Sequence, residues 1–128
     1  MRKNILRKIP AIVVMIGITV LSAMPGNDPF LNAFHFSDKI KHFIAYFALG
    51  MSLCFWTPSK KWLAKPIIHG IIVVFICIVF GIFDEYHQSF VPGRKGNDLG
   101  DLAANTIGGL VTPFLYFLII RWRASKKG

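Results

Sequence analysis

The chain has 128 residues, of which 54% are hydrophobic and 16% charged, with a mean hydropathy of +0.53. That balance excludes an ordinary soluble domain and points to a small integral membrane protein. Fifteen Lys and Arg against six Asp and Glu give a net charge of +9, but the basic residues flank apolar spans, so they read as topological anchors and lipid-headgroup contacts, with no nucleic-acid partner expected.

In chain order, the basic start MRKNILRK precedes an apolar segment from Ile9 to Met24. A signal peptide cleaved after Ala23 is one reading. Leu21 is a poor residue at the minus-three position and further apolar segments follow, so a retained first transmembrane helix is preferred. Asp28 to Phe36 is a short aromatic loop whose Phe30, Leu31 and Phe34 recur at helical spacing; membrane-interface packing is its expected role, and substrate contact the sharper alternative. The second helix is expected over Asp38 to Trp56, where Asp38, His42, Ala45, Tyr46 and Leu49 share one face through i+3 and i+4 spacing. Lys39 and Lys41 point elsewhere, toward lipid headgroups.

A lysine-rich turn, TPSKKWLAKP, leads to the third span, Ile67 to Phe83, in which His69 reads as a satisfied interfacial histidine. The fourth spans Leu99 to Ile120, with a kink expected at Pro113. Cys54 and Cys77 fall in apolar segments at different depths, which argues against a disulfide. The connections are short, so residues 1–128 make one domain with helices at 9–24, 38–56, 67–83 and 99–120. Eleven basic residues fall at the start, the middle turn and the tail, against Lys39, Lys41, Arg94 and Lys95 on the other side. The fold expected is therefore an all-α, integral membrane four-helix bundle in the cytoplasmic membrane, with both termini cytoplasmic and a polar pocket on the outer face. Trp56, Trp62 and Trp122 would then form a belt at the cytoplasmic boundary.

The stretch FDEYHQSFVPGRKGNDLGDLAANTIGG, from Phe83 to Gly109, holds four of the six acids, and ionisable groups between apolar spans are a site hypothesis by default. Asp84, His87 and Gln88 share a face if the helix runs on, with Glu85 pointing elsewhere; Pro92 and Gly93 turn the chain and carry Arg94 at the loop tip. Asp98, Asp101, Asn105 and Thr112 form a polar stripe on the fourth span, beside a small-residue ladder of Gly100, Ala104 and Gly108 that admits a close neighbour.

SDKIKHFIAYFALG and DEYHQSFVPGRKGNDLGDLAANTIGG resemble the two signature blocks of the VanZ-like family of small bacterial membrane proteins, over roughly Ser22 to Tyr116. The matching positions are Asp38, Lys39 and His42, then Asp84, Glu85, His87, Gln88, Pro92, Gly93 and Arg94, then Asp101, Asn105 and Gly108. The resemblance implies a multi-helix membrane protein and, from the family's name-giving case, lowered sensitivity to teicoplanin.

Three readings of the cluster follow. As an enzyme site, Asp84 or Glu85 serves as general base with His87 or His42 as proton partners, and Arg94 clamps an anionic group of an envelope substrate such as a lipid-linked diphosphate. As a binding site, Asp38, Lys39, Tyr46, Gln88, Arg94, Asp98, Asp101 and Asn105 hold an envelope lipid or a peptidoglycan-related ligand, with Lys95 adding anion recognition. As scaffolding, the same groups form an ion-pair network that locks the helices. No cofactor is assigned. The set able to take a divalent metal is Asp38, His42, Asp84 and His87, one His and one carboxylate on each of two helices, without an HExxH pattern.

Overall fold

The computed structural model describes residues 5–126, and among them the regular structure is helical, with no strand. The helices are α1 (Ile9–Ala23), α2 (Pro29–Asn32), α3 (Asp38–Trp56), α4 (Ser59–Ala64), α5 (Pro66–Gln88) and α6 (Leu99–Ser125). α6 is central: its most extensive packing is against α3, then against α5, while α1 lies across α3 and α5. Two of the helices, α5 and α6, are long and apolar enough to cross a membrane. α1 is apolar but has 15 residues, fewer than the roughly 20 that span hydrocarbon, and α3 has 19 with charge in its first turns.

The local chemistry explains the boundaries. α3 runs over the expected Asp38–Trp56, with an acid in its first turn, where the helix dipole favours negative charge. α5 starts with Pro66 at a position whose amide needs no partner, and it does not stop at Phe83 but carries Asp84, Glu85 and Gln88 as helical residues. Those acids find partners on neighbouring helices, so they do not end the helix. α6 likewise continues past Ile120 through Arg121 and Arg123, good helix formers whose charge suits a C-terminal turn.

Gly108 and Gly109 set how closely the three long helices approach. A Cβ on Gly108 would lie 2.6 Å from the Phe43 carbonyl oxygen of α3, and one on Gly109 would lie 2.6 Å from the Cys77 Cβ of α5. The pair is thus the contact point of α6 with both neighbours. Pro113, four residues on, leaves the Gly109 carbonyl without its helical donor. The buried Thr112 hydroxyl donates to that carbonyl at 2.8 Å, and α6 continues across the proline as a helix. The middle turn is more structured than its sequence suggested: α4 carries Trp62 inward, where its indole N–H donates to the Cys54 carbonyl at 3.0 Å and its ring packs on Tyr116 and His69. Trp62 is therefore a core residue rather than part of an aromatic belt, while Trp56 and Trp122 remain exposed.

The outward surface is apolar. Ile67, Ile71, Phe75 and Phe83 on α5, Ile107, Leu110 and Phe114 on α6, and Ile12, Val13 and Ile16 on α1 are all exposed, far more contiguous apolar surface than a water-soluble monomer presents. Replacing Thr112 by Val keeps the shape but removes the donor for the Gly109 carbonyl. Thr112→Val is expected to lower unfolding stability by about 1–3 kcal/mol, read by chemical unfolding in detergent, with Thr106→Val, whose hydroxyl duplicates an ordinary helical bond, as the mild control.

Candidate functional site

Successive residues on a helix are 100° apart, so Asp84 and Glu85 both face the bundle only if the direction midway between them points inward. That is how α5 is turned: Gly81, Asp84, Glu85 and Gln88 are buried, and His87, on the far side of Asp84, is exposed. The expected face of Asp84, His87 and Gln88 is therefore corrected. Glu85 belongs to the cluster, and the exposed His87 lines an apolar hollow with Thr19, Phe80, Asp84 and Phe90.

Each buried acid has partners from other helices. Asp84 accepts hydrogen bonds from the Ser22 hydroxyl of α1 and from Gln88 Nε2, and Gln88 Nε2 also donates to Ser22 Oγ at 3.2 Å. Glu85 Oε2 accepts the Asp98 amide at 3.1 Å, at the start of α6. Its other oxygen, Oε1, lies 3.7 Å from His42 Nδ1 and has no hydrogen-bond partner. The His42 ring, on α3, sits between helices: Nδ1 is 3.0 Å from Asn105 Oδ1 and Nε2 is 3.8 Å from Asp101 Oδ2. Asn105 and Tyr46 are fully buried, yet the Asn105 amide nitrogen and the Tyr46 hydroxyl lack partners. Burying polar atoms unpaired is costly, and here such atoms are concentrated around one imidazole.

Ser22 was not among the sequence candidates. A signal for it existed: the buried face of α1 is Ala11, Ile18 and Ser22, a helical spacing that ends on the one hydroxyl. The lysines also differ from expectation. Lys39 turns in to Asp101 at 3.3 Å and Asp98 at 3.9 Å, and Lys41 to the Leu31 carbonyl at 3.2 Å and Asp38 at 3.4 Å. Local carboxylates and a carbonyl draw both ammonium groups. Arg94 is folded back from its loop, donating through Nη2 to the Leu21 carbonyl at 2.8 Å. Asp38 is exposed at the rim, well outside the acid and imidazole core.

Two adjoining cavities open beside the cluster. One, of about 250 Å³, is walled by Ile18, Leu21, Phe30, Leu31, Phe34 and Ala45, with Tyr46, His42, Asp84 and Gln88 at its inner end. The aromatic loop after α1 is thus one of its walls. The other, of about 220 Å³, is polar and includes Lys39, Lys41, Arg94, Lys95, Asp98 and Asp101. Asp38, Lys41, His42, Gln88 and Arg94 border both. For a metal, the set differs from that expected. The ligating atoms of His42, Asp84 and Glu85 lie within 4.8 Å of one another, whereas Asp38 and His87 are outside that set, one exposed at the rim and the other exposed on α5.

Asp98, at the N-cap of α6, accepts the Gly100 amide at 2.7 Å; that bond, with Lys39 and Lys95 nearby, holds its carboxyl below the ordinary value of 3.8. A depressed pKa adds stability that is present above the ordinary value and disappears as pH falls through the lowered one. Asp98→Asn keeps a capping oxygen and loses the charge. Its thermal midpoint is expected to fall below wild type at neutral pH, with the gap closing below about pH 4, as measured across a pH series.

A family model described as VanZ/LLP1 matches residues 4–121. No curated protein and no solved structure matches the chain. With two helices able to cross a membrane and an apolar exterior, that match indicates a membrane protein. The chain belongs to the VanZ/LLP1 family.

Proposed function

We propose that α1, α3, α5 and α6 form a four-helix transmembrane bundle in the cytoplasmic membrane, with both termini cytoplasmic, and that the cavity pair faces outward and holds an anionic cell-envelope amphiphile. The ligand class is an envelope lipid or a lipid-linked peptidoglycan precursor. One observation carries the reading: a polar, lysine- and arginine-bearing cavity adjoins an apolar one, with a shared border at Lys41, His42, Gln88 and Arg94. A phosphate-type head fits the first, where Arg and Lys supply charge-assisted donors, and a hydrocarbon chain fits the second.

Several features support the orientation. The basic residues are concentrated at the start, at the α4 turn and at the tail, as expected of cytoplasmic segments. The short α1 and the charged first turns of α3 support a position of the cavities at a membrane boundary, where a lipid head resides. Lowered teicoplanin sensitivity would follow from holding or altering a precursor at that face. An ion-pair scaffold accounts for Lys39 with Asp98 and Asp101, but not for two cavities or the unpaired Tyr46 and Asn105 atoms.

A second reading, acid/base hydrolysis of the bound amphiphile, is favoured by His42, whose ring lies between Glu85 and Asp101 as a proton carrier between carboxylates would. Native mass spectrometry and binding assays in nanodiscs test the first. Wild type is expected to retain polyprenyl diphosphate or phosphatidylglycerol over phosphatidylcholine, and Ala45→Phe, which fills the apolar cavity without touching a charge, is expected to bind at least about tenfold more weakly at an unchanged thermal midpoint. Equal binding of anionic and zwitterionic lipids would refute it. Release of a product from a labelled polyprenyl diphosphate, lost in Asp84→Asn, would establish the hydrolase. Reporter fusions at either end are expected to report the cytoplasm.

A further inference from the structure

The buried acids are short of positive charge. Asp84 has no Lys, Arg or His nitrogen within 4.0 Å among the described residues, and Glu85 has only the His42 ring, at 3.7 Å. Lys39 is taken up by Asp101 and Asp98, and Arg94 donates to the Leu21 carbonyl. Two neighbouring buried carboxylates, of which Asp84 lies on the wall of the apolar cavity, are thus compensated mainly by neutral donors, Ser22, Gln88 and the Asp98 amide.

The imidazole sharpens the point. Its Nε2 lies 3.8 Å from Asp101 Oδ2, and with the proton on Nε2 the Nδ1 lone pair is free to ligate. Nδ1 lies 3.0 Å from Asn105 Oδ1 and 3.7 Å from Glu85 Oε1, so in that tautomer three electron-pair donors converge. Glu85 Oε1 is without a partner although the residue is more than nine-tenths buried, and ligand atoms of His42, Asp84 and Glu85 lie within 4.8 Å of one another. A cation would satisfy these converging lone pairs.

We propose that His42 Nδ1, Glu85 Oε1 and an Asp84 carboxylate oxygen bind one divalent metal ion of the zinc and manganese class, with Asn105 Oδ1 as a further donor. One imidazole nitrogen with carboxylate and amide oxygens is a borderline-to-hard set. It suits those ions rather than copper(I), which prefers thiolates, and both cysteines lie elsewhere in the core. Asp101 is a positioning residue: its carboxylate, 3.8 Å from Nε2, favours the tautomer that presents Nδ1. The site lies where the apolar cavity ends, beside the cationic cavity, so a phosphate-type head held there would reach the ion. The metal site stands whether or not the pocket takes a lipid, because metal binding is read with no lipid ligand added.

Detergent-purified full-length protein, stripped with chelator, is titrated with Zn²⁺ or Mn²⁺ alone by calorimetry and checked by elemental analysis. One equivalent is expected for wild type and for His87→Gln, whose imidazole is exposed and outside the set of converging ligand atoms. His42→Gln and Glu85→Gln are expected to lose stoichiometric binding, and Asp101→Asn to weaken it about 10- to 100-fold. Circular dichroism of the stripped variants separates lost binding from lost folding. Should the ligand variants not fold, the visible spectrum of Co²⁺ bound to wild type carries the test: d–d bands of a four- or five-coordinate nitrogen and oxygen site support the assignment. No binding, binding unchanged in His42→Gln and Glu85→Gln, or only the aqueous-ion spectrum would overturn it.

Discussion

Two adjacent carboxylates near the end of an apolar helix constrain everything around them. Asp84 and Glu85 can be buried only if other parts of the chain bring donors to them, and those donors come from α1, the last turn of α5 and the start of α6. The cost of an unpaired buried carboxylate is several kcal/mol, comparable to the whole stability of a small domain. The acids therefore act as a lock on the arrangement: the helices must meet at this point and in this rotation. Gly108 and Gly109 meet the complementary demand deeper in the bundle, where bare backbone lets α3 and α5 approach α6 from two sides.

Much of this was legible from spacing. The α3 limits, the polar stripe of Asp101, Asn105 and Thr112 on α6, and the role of Gly108 all follow from periodicities of three and four and from the absence of a side chain. What failed was rotational phase. Spacing groups Asp84 with both His87 and Gln88, but it does not say which side of Asp84 faces inward, and the bundle chose the side of Glu85. The end of α5 was misplaced for a related reason: two acids after an apolar run look like a boundary unless the partners that make them tolerable are known. Ser22 shows the same limit. Its place on the buried face of α1 with Ala11 and Ile18 hinted at a role, but which partner it served was legible only once the carboxylate 62 residues away was seen to need it. Trp62 reads as a belt residue from its place in the expected topology, but its indole N–H had a buried carbonyl to satisfy.

The exterior and the interior divide the physical roles cleanly. Outward-facing Ile and Phe on α1, α5 and α6 suit a hydrocarbon surround, where association of helices rests on close packing and polar contacts rather than on expulsion of water. Inward, Thr112 shows how such a helix tolerates a proline: the hydroxyl next to Pro113 takes over the bond that the ring removed. The polar atoms that remain unpaired are not scattered through the bundle. Tyr46, Glu85 and Asn105 lie on its three inner helices around one imidazole, and Arg94 borders the cavities beside it.

The loop after α5 is tied to the turn after α1 by the Gly26 amide on the Pro92 carbonyl, at 3.0 Å, and by Arg94 on the Leu21 carbonyl. Gly93 takes a left-handed backbone conformation there, and a side chain on Gly26 would strike it. These ties join parts of the chain made early and late in synthesis. His42 and Ser22 leave the ribosome well before Asp84 and Glu85, and the Asp98 amide and Asn105 follow later still. The cluster is therefore complete only once the last helix has followed the first three into place.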